Sequence, residues 1–175
     1  MREALAALLI WGAPTLVPSG PQAGARTALD VPIVVQAPEH CGQAALEMVL
    51  RYYGADSTAL READRAWNPA LRGSLITDLA DAARRAGYAS SVETLEPDSL
   101  IALLAADVPP ILLYQNGRAP LTVAHFGVVT GWDPARRQFT LNDGRARPRV
   151  TGFEGLTKRW RTAGSQALVV RRKSP

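Results

Sequence analysis

Gln36-Ala37-Pro38-Glu39-His40-Cys41-Gly42-Gln43-Ala44-Ala45-Leu46 carries the only cysteine of the chain, at a point where one pattern gives way to another. Ala44, Ala45, Met48, Val49 and Tyr52 recur at helical spacing, and Gly54 supplies a stop after Tyr52-Tyr53. Pro38 disfavours helical backbone at the residue before it, so the helix is predicted to open at or near Cys41. Unpaired N–H groups and the positive end of a helix dipole favour thiolate over thiol at such a place. Gln36, five residues upstream, has an amide suited to donate to an oxyanion beside that sulfur. The alternative for Cys41 is a small buried hydrophobe, and for Gln36 a surface polar residue before a turn.

A nucleophilic sulfur needs a base, and the chain has two histidines. His40 adjoins Cys41, and consecutive side chains diverge on a helix or a strand, so it cannot easily meet the sulfur. His125 is left, within a predicted strand over Thr122 to Trp132, where its parity groups it with Gly127 and Val129. A third group must accept the other ring N–H to fix the tautomer. Asn142 and Asp143 both qualify chemically, and strand alternation sends them to opposite faces.

Gln36, Cys41-Gly42-Gln43-Ala44-Ala45-Leu46, Tyr52-Tyr53-Gly54, His125-Phe126-Gly127-Val128-Val129-Thr130-Gly131 and Asn142-Asp143-Gly144 together resemble the bacteriocin-processing (double-glycine leader) peptidases, a family of papain-like cysteine peptidases. The likeness spans roughly Val31 to Val170 and is greatest to free-standing, exported members. It implies a Cys41, His125, Asp143 triad, with Gln36 in the oxyanion hole, acting on a peptide or protein substrate without a cofactor. This chain departs from the family pattern in carrying Gly144 where Pro commonly follows the Asp, and in setting Gln36 five rather than six residues ahead of the cysteine. Other functions the resemblance leaves open are a non-catalytic peptide-binding or assembly module on the same fold, and amide acyl transfer or deamidation.

Around this centre the periodicities predict an α+β fold, with N-terminal helices packed on an antiparallel sheet. Asp30 to Val35 reads as a short strand leading into the catalytic turn. Helices are expected over Thr58 to Trp67 with Asp56 or Ser57 as cap, over Leu75 to Ala86, over Leu100 to Ala106 after Pro97, and over Phe153 to Trp160. Strands are expected over Tyr88 to Thr94, Pro110 to Tyr114, Gln138 to Asn142 and Gln166 to Val170, with Asn116-Gly117 as a turn. Trp67, Trp132 and Trp160 read as core or rim aromatics. Arg145, Arg147 and Arg149 read as a solvated edge.

Composition limits the alternatives. A chain of 175 residues with 47% hydrophobic content suits one domain, placed at residues 26–175. One cysteine and two histidines cannot furnish a standard zinc site of four side-chain ligands. The net charge of +4 comes mainly from the stretch after Asp133. It lacks the aromatic interleaving or motif of nucleic-acid binders, so no nucleic-acid partner is expected. Residues 1–25 read as a signal peptide: Arg2, an apolar run from Ala4 to Trp11, breaks at Pro14 and Pro18, and Ala23-Gly24-Ala25 as a cleavage pattern. The run is too short to span a bilayer, so a periplasmic or secreted protein with no integral membrane segment after processing is expected.

Overall fold

The helix α1 (Cys41–Tyr52) lies in the core, with eight of its twelve residues buried. In the computed structural model, which describes residues 27–118 and 120–173, the element order is β1 (Thr27–Ala28), α1, α2 (Ser57–Asp64), α3 (Ile76–Arg85), β2 (Ala89–Thr94), α4 (Pro97–Ala105), β3 (Ile111–Arg118), β4 (Leu121–Asp133), β5 (Gln138–Asn142), β6 (Arg149–Gly152), α5 (Phe153–Thr162) and β7 (Gln166–Arg171). The signal-peptide reading of residues 1–25 lies outside the described residues. Among the described residues no helix is long and apolar enough to cross a membrane.

α1 turns an apolar stripe to the core and an ion pair to solvent. Ala45, Leu46, Met48, Val49 and Leu50 are buried, whereas Glu47 and Arg51 make an exposed i,i+4 ion pair at 2.6 Å. Gly54 at φ +78° reverses the chain in a conformation that a side chain would strain. α2 is capped by Asp56, whose Oδ1 accepts from Thr58 N at 2.9 Å and Ala59 N at 2.8 Å. Such a cap contributes about 1 kcal/mol. α2 stops at Asp64, three residues before the expected Trp67, because Asn68 and Gly73 then pair as an isolated bridge and close a tight loop.

The seven strands make one antiparallel sheet ordered β2-β7-β3-β4-β5-β6, with β1 paired to β4. The predicted α+β, papain-like arrangement is therefore present. α1, α2 and α3 bury Leu46, Val49, Leu79 and Ala83 against Ile111, Phe126, Val128 and Leu168 on one side of the sheet. On the other side, α4 and α5 bury Leu100, Leu104, Leu156 and Trp160 against Leu112, Val129, Phe139 and Ala167. Neighbouring residues of one strand, such as Ile111 and Leu112, divide between the two clusters, as strand alternation requires. Trp132 and Trp160 are core residues, and Trp160 Nε1 donates to Gln166 O at 2.8 Å.

Two expectations fail for reasons visible in the structure. Asp30 to Val35 is not a strand; the two-residue β1 precedes it. Pro32 has no N–H to contribute to a ladder, and the segment is tied down instead by Leu29 N–H to Thr130 O at 2.7 Å and by Asn142 Nδ2 to Val31 O at 3.0 Å. Asn116-Gly117 does not turn: both lie inside β3, paired to Val123 and Thr122, and the reversal falls between Arg118 and Leu121. Gly117, at φ +104°, lies so close to the Leu121 carbonyl that a Cβ would not fit.

The pairing of β4 positions the site. β5 pairs with β4 only from Val128 onward, so the stretch of β4 from Leu121 to Gly127 has β3 as its one strand neighbour. The start of α1 abuts this open edge.

Candidate active site

Cys41 is the first residue of α1, and the preceding turn places it there. Glu39 takes φ +69°, His40 N–H donates to Ala37 O at 3.1 Å, and no side chain caps the helix start. The Gly42 N–H of the first turn hydrogen-bonds the sulfur. Burial pushes the Cys41 thiol up, but the hydrogen bond with the His125 ring, the Phe126 and Gly42 backbone N–H groups and the charge of His125 outweigh it, so its pKa lies below the ordinary thiol value. The reverse holds across the pair. Burial pulls the His125 imidazolium down, yet contact with the Cys41 sulfur, the Asp143 carbonyl and the Asp143 charge together hold it above the ordinary value. The two shifts favour a thiolate–imidazolium pair.

His40 does not reach this centre. Its Nδ1 lies 2.7 Å from Pro38 O, and its ring stacks on Trp67 with centroids 5.3 Å apart. Trp67 is accordingly a rim aromatic rather than a core one.

His125 is fixed on three sides. Its Nε2 donates to the main-chain carbonyl of Asp143 at 3.0 Å, the Tyr114 ring meets it edge-on at 5.6 Å, and the Cys41 sulfur hydrogen-bonds with the ring. Gly127, two residues on, makes room for both flanking groups: a Cβ there would stand 3.2 Å from Tyr114 Cε1 and 3.5 Å from Asp143 Cβ. Tyr114 is buried and, among the described residues, its hydroxyl has no hydrogen-bond partner; burial, then the nearby Asp143 charge, pushes its pKa up to about 12.

Asp143 stands beside the ring, but its carboxylate points elsewhere. The side chain is wholly buried, with Oδ2 lying 3.5 Å from Arg145 Nε and 3.8 Å from Arg149 Nη1. Arg145 and Arg149 therefore flank the carboxylate, a role their alternation did not suggest. Asn142 is on the other side of β5, tying down Val31. Gln36 reaches the centre from the N-terminal segment: its N–H donates to Gly144 O at 3.0 Å, and its side chain lies over the bare Gly144 Cα.

Of these groups Gln36, Cys41 and His125 line a cleft of about 750 Å³. Its walls were not legible in sequence. One is the loop after α2, where Leu71 and Leu75 are about half exposed; the other is Val123, on the open edge of β4. The loop is held to the turn before Cys41 by the Glu39–Arg72 ion pair and the His40–Trp67 stack. Leucines at 71 and 75, in a stretch that is otherwise polar or small, were the available signal. Among the described residues no group of three His, Cys, Asp or Glu side chains could hold a metal ion.

The model of the Peptidase_C39 like family matches residues 28–168. No curated protein matches the chain. Among solved structures, the chain is similar to a Peptidase_C39-like protein from Bacillus anthracis, with 18% identity and a TM-score of 0.70 over 86% of this chain and 100% of that one. It is also similar to a double-glycine-motif protease from an AMS/PCAT transporter, solved in complex with the leader peptide, with 22% identity and a TM-score of 0.64 over 84% and 95%. A third is the peptidase domain of Streptococcus ComA, a bifunctional ABC transporter of a quorum-sensing pathway, with 17% identity and a TM-score of 0.62 over 81% and 97%. At these identities the structural likenesses speak for the fold.

Proposed function

The chain belongs to the Peptidase_C39 like family, and on that footing we propose that it is a thiol peptidase whose nucleophile is Cys41, with His125 as acid and base and Gln36 as oxyanion donor. The observation that carries the proposal is the placement of Cys41 at the start of α1 in contact with the His125 ring, whose Nε2 is held by the Asp143 carbonyl, beside an open cleft.

The Cys41 thiolate attacks the carbonyl carbon of a peptide bond, forming a C–S bond and an oxyanion. Gln36 and the Cys41 N–H stabilise that oxyanion. The imidazolium gives its proton to the departing amine as the C–N bond breaks. Water, deprotonated by His125, then attacks the thioester and releases the acid and the free enzyme. The Asp143 carbonyl, by accepting the Nε2–H, holds the ring in the tautomer and orientation that these transfers need.

The substrate is an extended peptide. Apolar walls at Leu71, Leu75 and Val123 would hold its side chains, while the open edge of β4 offers backbone groups to its main chain. The relative solved in complex with the leader peptide shares the fold, which makes a leader-like peptide the first candidate. The proposal includes export, on the signal-peptide reading of residues 1–25, with a mature protein that begins near Arg26.

The test is a screen of peptides with small residues before the scissile bond, read by mass spectrometry. Wild type should cleave some of them and Cys41→Ala none. Cleavage by Cys41→Ala would refute the thiol mechanism, and binding without cleavage by both proteins would favour a peptide-binding module.

A further inference from the structure

Gly144 follows Asp143 and lies in the left-handed region at φ +80°, where an L side chain is strained. Its carbonyl accepts the Gln36 N–H at 3.0 Å, so the segment leading to Cys41 is tied to this turn. The side chain of Gln36 then folds over the glycine. A Cβ on residue 144 would stand 2.6 Å from Gln36 Cδ and 2.7 Å from Gln36 Cγ, and closer still to Oε1. Among the described residues Oε1 is buried with no hydrogen-bond partner, and Gln36 also lines the cleft, where its amide nitrogen is the side-chain group that can donate. No other glycine among the described residues has a neighbouring side chain seated this closely where its Cβ would be.

We infer that Gly144 is a positioning residue for the oxyanion donor: its bare Cα is the seat on which the Gln36 amide rests. The Asp143-Gly144 dipeptide thus sets two catalytic groups at once, the imidazole through the Asp143 carbonyl and the amide through the Gly144 Cα. A methyl group at 144 meets the flexible end of a side chain rather than backbone, so Gln36 swings aside instead of the fold giving way. The consequence is a loss of rate with little loss of structure. This inference rests on the reading of Gln36 as oxyanion donor.

A double-mutant cycle tests it on a peptide that wild type cleaves. Gln36→Ala should lower kcat by ~10²–10³, the size expected for one oxyanion donor. Gly144→Ala should lower kcat at least about tenfold with KM nearly unchanged, because a donor that acts only in the transition state is displaced. The double variant should be no slower than Gln36→Ala alone, since the group that Gly144 seats is already gone. Thermal denaturation separates the backbone contribution: strain at φ +80° lowers Tm equally in both backgrounds. Gly144→Asn, which tolerates left-handed φ, should lose kcat as Gly144→Ala does. Wild-type kcat in both Gly144 variants, or losses that multiply in the double variant, would overturn the inference while leaving Gln36 in its role. Wild-type kcat in Gln36→Ala would overturn the oxyanion reading and this inference with it.

Discussion

His125 and Asp143 meet through the main chain: the ring Nε2 donates to the Asp143 carbonyl at 3.0 Å, while the Asp143 carboxylate faces Arg145 and Arg149. A side-chain substitution leaves that carbonyl in place. Asp143→Asn should therefore cost much less than the roughly 10⁴-fold that follows when the orienting carboxylate of a Ser-His-Asp triad is removed. The charge still matters, because it is one of the influences that raise the imidazolium. Removing it lowers the His125 pKa, and the imidazolium must be present for the pair to work. The basic limb of the kcat/KM profile should move to lower pH in Asp143→Asn. A loss as large as that of His125→Ala would show that the carboxylate itself holds the ring.

Asn142→Ala should behave differently. Its Nδ2 ties down Val31 from the opposite side of β5, and the Asn142 side chain is buried. Losing a buried hydrogen bond of this kind costs about 1–3 kcal/mol of stability, measurable by urea denaturation, while kcat should stay near wild type. A large fall in kcat with unchanged stability would place Asn142 rather than Asp143 in the catalytic machinery.

Leu71→Asp should weaken substrate binding without disturbing the fold. Leu71 is 53% exposed and stands on the cleft wall, so its replacement should change stability by about 0.5 kcal/mol or less. Taking an apolar side chain out of a substrate pocket weakens binding by about tenfold or more, and the effect should appear in KM, with kcat preserved. An unchanged KM would move the substrate off this wall.

The parts of the site that lie on regular elements could be read from the sequence, and the parts made by long-range contacts could not. The place of Cys41 at a helix start followed from a helical period and its start signal, while its pairing with His125 rested on the exclusion of His40 together with the family resemblance. The helices-on-sheet arrangement followed from the change of period between the two halves. The loop carrying Leu71 was missed because it is held in place by Glu39–Arg72 and His40–Trp67, pairs far apart in sequence. The strand expected over Asp30 to Val35 failed because its apolar residues look the same whether paired or pinned by Leu29 and Asn142. Asp143 was picked out for its carboxylate, yet the contact is through its carbonyl, a group that every residue carries. Gly144 stood out only as a departure from the family pattern; its positive φ and the Gln36 side chain lying over it belong to the folded chain.

The pH dependence of Cys41 alkylation, in wild type and in His125→Ala, tests the thiolate–imidazolium pair most directly. The chain has one cysteine, so the signal is unambiguous. Wild type should react with iodoacetamide faster at pH 7 than a free-cysteine peptide does, and its rate should fall only as acid protonates the lowered thiolate. In His125→Ala the chief stabilising partner is gone while burial still opposes the charge, so the inflection should move upward. Each unit of that rise removes about nine-tenths of the thiolate present below it. Identical profiles in the two proteins, or a wild-type inflection at or above that of the free peptide, would contradict the account.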